Sequence, residues 1–117
     1  MATTTRITLS GSTSGKPIPV AATATPGTTI HTVASAPGYD AVFLFASNVT
    51  AGAATLTVEF GGTSDPGDHL VKAYSVAANS APVPIATGQQ LTGGLVIKAF
   101  SGTASAINIT GYALRNA

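Results

Sequence analysis

Thr55-Leu56-Thr57-Val58-Glu59-Phe60, running straight into Gly61-Gly62, is the stretch that decides the fold. Polar and apolar residues alternate there without a break. Only a β-strand turns that period of two into one buried and one wet face. Leu56, Val58 and Phe60 are therefore expected in a core, and Glu59 on the wet side as a solvated or salt-bridged charge. On the N-terminal side, Val42-Phe43-Leu44-Phe45-Ala46 is the most hydrophobic run in the chain. A continuous apolar run predicts a strand covered on both faces, either central in the fold or capped by a neighbouring subunit. Val49-Thr50-Ala51-Gly52 between the two runs reads as the turn of a hairpin.

The same grammar extends through the chain. Thr28–Ser35 is a strand closed by Ala36-Pro37-Gly38, and His69–Ala77 is another, entered through the turn signal Asp65-Pro66-Gly67-Asp68. Pro82 and Pro84 mark an extended edge, Leu91–Ser101 a further strand, and Ala104–Leu114 the last, with an expected bulge at Gly111. Residues 1–26 differ in tone, being rich in Thr, Ser, Gly and Pro. They predict an extended N-terminal arm with a possible edge strand at Thr5–Ser10, a flexible link at Gly11–Gly15, and Pro-enforced extension around Ile18–Thr25. Helix is disfavoured because Ala-rich pieces are broken by Gly and the larger apolar residues are mostly β-branched or aromatic. The expected fold is all-β, a single antiparallel β-sandwich or jelly-roll-like domain at 27–117 of about eight strands. Its core is assigned to Val42, Phe43, Leu44, Phe45, Leu56, Val58, Phe60, Ile97, Ile107 and Ile109.

Composition narrows the function. The chain has 117 residues, enough for one core, and only 8% of them are charged, against roughly 25% in an average soluble domain. The five basic residues are scattered and the net charge is +1, which argues against a dedicated nucleic-acid binder. There is no cysteine for a disulfide, a thiolate metal site or a Cys nucleophile. No apolar run approaches the ~20 residues that span a bilayer, and Met1–Arg6 lacks a signal-peptide core, so cytoplasmic synthesis is expected.

Catalytic candidates are few. Asp65, Asp68 and His69, with His31 at a distance, are the best metal-ligand set, but carboxylates bracketing a turn ordinarily bond the turn's own amides. Asp40 and Glu59 are the imaginable carboxylate pair. No serine sits in a G-x-S-x-G elbow, and Gly61-Gly62 and Gly93-Gly94 lack the lysine and spacing of a phosphate loop. Asn48-Val49-Thr50 and Asn108-Ile109-Thr110 match a glycosylation triplet, as chance allows in so Thr-rich a chain. Tyr39, Tyr74 and Tyr112 are candidates for a stacking platform. The expectation is a non-enzyme without cofactor or metal that works by adhering.

Ile30-His31-Thr32, then Asp40 to Asn48, then Ala54 to Thr63, with Gly94 to Phe100 and the ending Ile109-Thr110-Gly111-Tyr112, resembles small virion structural proteins of tailed bacteriophages. The resemblance covers Thr28 to Leu114. It implies a β-sandwich of the particle, above all a capsid decoration or cement protein. Such a protein binds the outer face of the major capsid protein lattice and copies of itself, with no direct contact to nucleic acid or membrane. It also implies a homo-oligomer, located in the virion and synthesised in the bacterial host cytoplasm. The runner-up roles are a head–tail connector, neck or tail protein, and a carbohydrate- or receptor-binding module of a fibre or spike. Expected partner contacts are Thr3, Thr4, Thr5, Arg6 and Lys16 in the arm, whose extended backbone is suited to strand addition, and Asp65 and Asp68 in the loop Gly61–Asp68.

Overall fold

The computed structural model describes residues 3–117; Met1 and Ala2, where the expected arm begins, lie outside the described residues. Among the described residues there is no helix, and nine strands form two antiparallel sheets. They are β1 (Thr4–Thr8), β2 (Ile18–Pro19), β3 (Thr28–Thr32), β4 (Tyr39–Asn48), β5 (Ala54–Phe60), β6 (His69–Val76), β7 (Val83–Thr92), β8 (Val96–Ser101) and β9 (Ile107–Asn116). The first sheet has the order β1-β9-β4-β7, with β2 also paired to β9, and the second has the order β3-β8-β5-β6. Their facing sides make one core of a β-sandwich, built from Ile30, Leu56, Val58, Ile97 and Ala99 on one sheet and Val42, Leu44, Ala46, Ile107, Ile109 and Ala113 on the other.

The strand β4 follows the period of two without exception. Asp40, Val42, Leu44, Ala46 and Asn48 are buried, while Tyr39, Ala41, Phe43, Phe45 and Ser47 between them are only half-buried. Phe43 and Phe45 thus depart from the expected core, whereas Phe60, half-buried at the end of β5, packs against it. The physical reason is parity: once Val42 and Leu44 face the opposing sheet, the residues between them must face away from it. The expected two-sided cover is therefore incomplete. None of the four Phe and three Tyr is in the buried interior, which is made of Leu, Ile, Val and Ala.

Two further expectations are corrected. Val49–Gly52 does not close a hairpin, because β4 and β5 lie in different sheets. It is an arch between the layers, held by Asn48, whose Nδ2 donates to the Gly52 and Val76 carbonyls at 2.8 and 3.1 Å. Its Oδ1 accepts from the Thr50 amide at 2.9 Å and the Thr50 hydroxyl at 2.7 Å. Nor is β9 bulged at Gly111: it pairs with β4 in unbroken register from Tyr39↔Asn116 to Asn48↔Ile107. Gly111 is needed for another reason, since its φ is 147° and a Cβ would run into the Phe43 carbonyl oxygen.

The described part of 1–26 is not a free arm. The strand β1 pairs with β9 over its whole length, and β2 pairs with Ile109 and Asn108. Leu9, Ile18 and Val20 are buried members of the core, at 1%, 5% and 0% exposure. The expected flexible link is a bonded turn, with Gly11 N donating to Ile30 O, Ser12 N to Leu9 O and Lys16 N to Thr13 O, each at 2.9 Å. Three apolar residues at this spacing supply the burial that holds a Thr-rich segment down.

Deleting residues 1–15 removes a sheet edge and Leu9 together. The truncated chain is expected to lose cooperative urea unfolding, and a melting temperature close to that of the full chain would contradict the packing described. Substituting single residues separates the two faces of β4. Leu44→Ala is expected to cost about 2–5 kcal/mol and Phe45→Ala clearly less, measured by urea denaturation, because only the former opens a sealed cavity.

Candidate functional site: a buried ionic pin and an outward aromatic face

Two of the charged residues that the sequence left scattered, Asp40 and Arg115, meet at one end of the sandwich, with His31 beside them. Asp40 begins β4 and faces inward, and its Cα partner across the first sheet is Arg115 on β9. The guanidinium forks onto the carboxylate, with Nε to Oδ1 and Nη2 to Oδ2 both at 2.9 Å. From the second sheet, His31 on β3 brings Nε2 to within 2.6 Å of Asp40 Oδ2. The other ring nitrogen, Nδ1, accepts the Ser10 amide at 2.9 Å. Since Nδ1 accepts, the proton belongs on Nε2, and His31 donates it to Asp40. Ser10 is fixed in turn by the Thr32 amide, which donates to its hydroxyl at 2.7 Å.

Asp40 and His31 are both sealed from solvent, at 0% exposure, and the Asp40 charge is compensated in place by Arg115. Burial pushes the Asp40 carboxyl upward. The hydrogen bonds from Arg115 and then His31, with the Arg115 charge behind them, outweigh burial and hold its pKa below the usual value. The hydrogen bond to Asp40 holds Arg115 still more firmly protonated than usual. Chemically the cluster is closed. Both ring nitrogens of His31 are occupied, so the imidazole has no lone pair for a serine hydroxyl, and the neighbouring Ser10 is not a nucleophile of a triad.

The remaining candidates are dispersed. Asp68 Oδ2 accepts the Ser64 amide at 3.1 Å, inside its own turn. Asp65 pairs with Lys72 Nζ at 2.7 Å, which holds its carboxyl below the usual range, and lies 3.6 Å from His69 Nδ1. Among the described residues no group of three or more His, Asp or Glu has the geometry to hold a metal ion. Glu59 is not solvated: it is fully buried, accepting the Thr25 hydroxyl at 2.6 Å and the Gly27 amide at 2.8 Å. The segment after β2 folds over the outer side of the second sheet to make those bonds. It lies so close that a Cβ at Gly27 would stand 2.5 Å from the Ala99 carbonyl oxygen. Nothing in the local sequence signals that cover, because it depends on a contact between segments 32 residues apart.

The proposed contact residues do not converge. Thr4, Thr5 and Arg6 lie on β1 at an edge of the first sheet, with Thr3 just before them, and Lys16 is exposed in the turn after it. Asp65 and Asp68 sit in the β5–β6 loop of the other sheet. The tyrosines do not form one platform either, since Tyr74 is on β6 of the second sheet, 46% exposed.

What the structure does assemble is an apolar outer face on the first sheet. Residues opposite one another across a sheet share a face. Phe43 is opposite Tyr112 and Thr87, Phe45 opposite Thr110 and Pro84, and Ala41 opposite Leu114 and Gln90. The rings of Phe43 and Tyr112 are stacked at 4.9 Å, inclined by 16°. The Arg6 guanidinium lies 3.9 Å from the centre of the Tyr112 ring, a cation–π contact. At the Tyr39 end the face runs into an open groove of about 380 Å³ lined by Pro37, Tyr39, Gln90, Leu91, Thr92 and Leu95. The sequence signal for this face was present in the second parity of the apolar run at Val42–Ala46. No family model matches the chain, and neither a curated protein nor a solved structure matches it.

Removing the pin's central charge strands two partners. Asp40→Asn is expected to cost about 1–3 kcal/mol by urea unfolding near pH 7, since the Arg115 it leaves unpaired is partly solvated. Because the folded pKa of Asp40 is depressed, its stabilisation is complete above the ordinary carboxylate value and fades as pH falls through the folded value. Wild-type stability should therefore drop steeply below about pH 4, and the variant's drop should be shallower. Parallel pH profiles for the two proteins would refute the role given to Asp40.

Proposed function

We propose that this chain is a non-catalytic structural protein of a tailed-phage particle, a decoration protein that binds the major capsid protein on the outer lattice together with copies of itself. The observation that carries this reading is the gathering of Tyr39, Phe43, Phe45 and Tyr112 on the outer side of one sheet, away from an interior of aliphatic side chains. Aromatic side chains gathered on one outer face are characteristic of protein–protein contact surfaces. A charged fraction of 8% supports the same reading, because little electrostatic repulsion opposes association.

The strand order adds support by analogy of fold. With β1 and β2 counted as one interrupted strand, the orders β1-β9-β4-β7 and β3-β8-β5-β6 correspond to two Greek keys wound into a jelly roll, an architecture frequent in viral capsid and lectin domains. A ligand that binds only the expanded shell stabilises it by mass action, which gives a cement protein its use.

The alternatives are a head–tail connector, neck or tail protein, and a glycan- or receptor-binding module, for which the Phe43–Tyr112 stack would be the platform. Quantitative mass spectrometry of purified particles separates the virion roles. Decoration predicts copies in proportion to the major capsid protein, whereas a neck or tail role predicts a small fixed number per particle. Absence from particles, with glycan binding lost on Tyr112→Ala, would replace the proposal with the third reading.

A further inference from the structure

We propose that the outer face of the first sheet is a self-association surface, and that its occupant is a second copy of this chain packed face to face across a twofold axis. The inference deepens the adhesive reading above by naming the partner of that face, and it is tested separately from decoration.

The argument begins with area. Strands β4, β7 and β9 each have ten residues and β1 has five, so the sheet is ~33 Å long over three strands and ~19 Å wide where β1 adds a fourth. Two such faces in contact bury ~1,100 Å², just above the ~1,000 Å² that a specific interface needs. Sheets already stack this way inside each sandwich, about 10 Å apart, so a second layer of the same kind needs no new geometry.

Charge points to a like partner. Among the outward residues of β1, β9, β4 and β7, Arg6 is the one charged side chain, and it is already engaged on the Tyr112 ring. The face presents no charge pattern for a partner of opposite sign to complement, and none that would repel its own copy strongly. The arrangement also has the anatomy of an interface. The stacked Phe43–Tyr112 pair sits at the middle of β4 and of β9, where the aromatic anchors of interfaces concentrate. Thr110, Thr87, Gln90 and Thr92 surround it as a neutral polar rim. In an isologous contact each ring pair would meet the copy's own, so a single patch serves both partners.

Sedimentation velocity on the full chain, from about 1 to about 200 μM, tests this. A concentration-dependent monomer–dimer boundary is expected. Thr110→Glu and Thr87→Glu each place a carboxylate beside the ring cluster, twice per dimer, and should weaken dimerisation at least about tenfold. Tyr74→Glu, on the other sheet, should leave it unchanged. Circular dichroism and melting identify any variant that fails to fold, and two independent positions keep the test decisive. A monomer across the whole range overturns the inference. So does a dimer indifferent to both Thr variants when they melt like the wild type, or one broken by Tyr74→Glu alone. A monomeric protein that still decorates capsids overturns this inference and leaves the proposed function standing, while a dimer that never decorates does the reverse.

Discussion

The parity of β4 is the constraint on which the rest of the molecule depends. A strand gives its two faces to alternate residues, so committing Val42 and Leu44 to the core commits four other positions at once. Asp40 is carried inward to the sandwich end, where it meets Arg115 and His31. Asn48 is carried inward at the opposite end, where it ties the arch to β6. Phe43 and Phe45 are carried outward, beside Tyr112 and Thr110. A slip of one residue would bury two large rings in a layer filled by aliphatic side chains, expose Val42 and Leu44, and strand Asp40 outside its partners. Each of these penalties favours the same register, which is how one strand specifies the fold.

The ionic pin shows how a chain with so few charges uses them. A buried carboxylate is tolerable only when its lone pairs are filled and its charge is matched. Asp40 meets both conditions through a forked guanidinium from its own sheet and an imidazole from the opposite one. The pin therefore reports on correct assembly of the two layers, since it is complete only when β3, β4, β9 and the turn after β1 are all in place. The same completeness removes His31 from proton-transfer chemistry. Glu59 follows the same rule with neutral donors, a hydroxyl and an amide, supplied by a segment laid over the sheet.

How much of this was legible follows from the range of each interaction. Alternation over Thr55–Phe60 and the Gly and Pro punctuation are local, and they led directly to an all-β sandwich. The continuous run at Val42–Ala46 is ambiguous by nature: every position is apolar, so hydrophobicity alone leaves the parity of the strand open and hides the outward face. The early segment misled because its composition is that of a linker, whereas Leu9, Ile18 and Val20 decide its fate through burial against distant strands. The pin and the Glu59 cover were illegible because they join residues far apart in the chain, and pairwise proximity has no signature in one sequence.

The edges and the outer face of the first sheet are built differently. Open strand edges invite unwanted pairing and are commonly blunted by proline, charge or bulges. Here β7 carries Pro84 and two register shifts against β4, and β6 carries Lys72, two register shifts against β5, and Ala73 at a φ of 50°. Such irregular edges are poor templates for a flat, in-register strand. The outer face of the first sheet has no comparable guard, only the neutral ring cluster with one engaged cation. Pairing at those two edges is thereby disfavoured, while the β1 edge, in regular register with β9, carries only Arg6 as a charge.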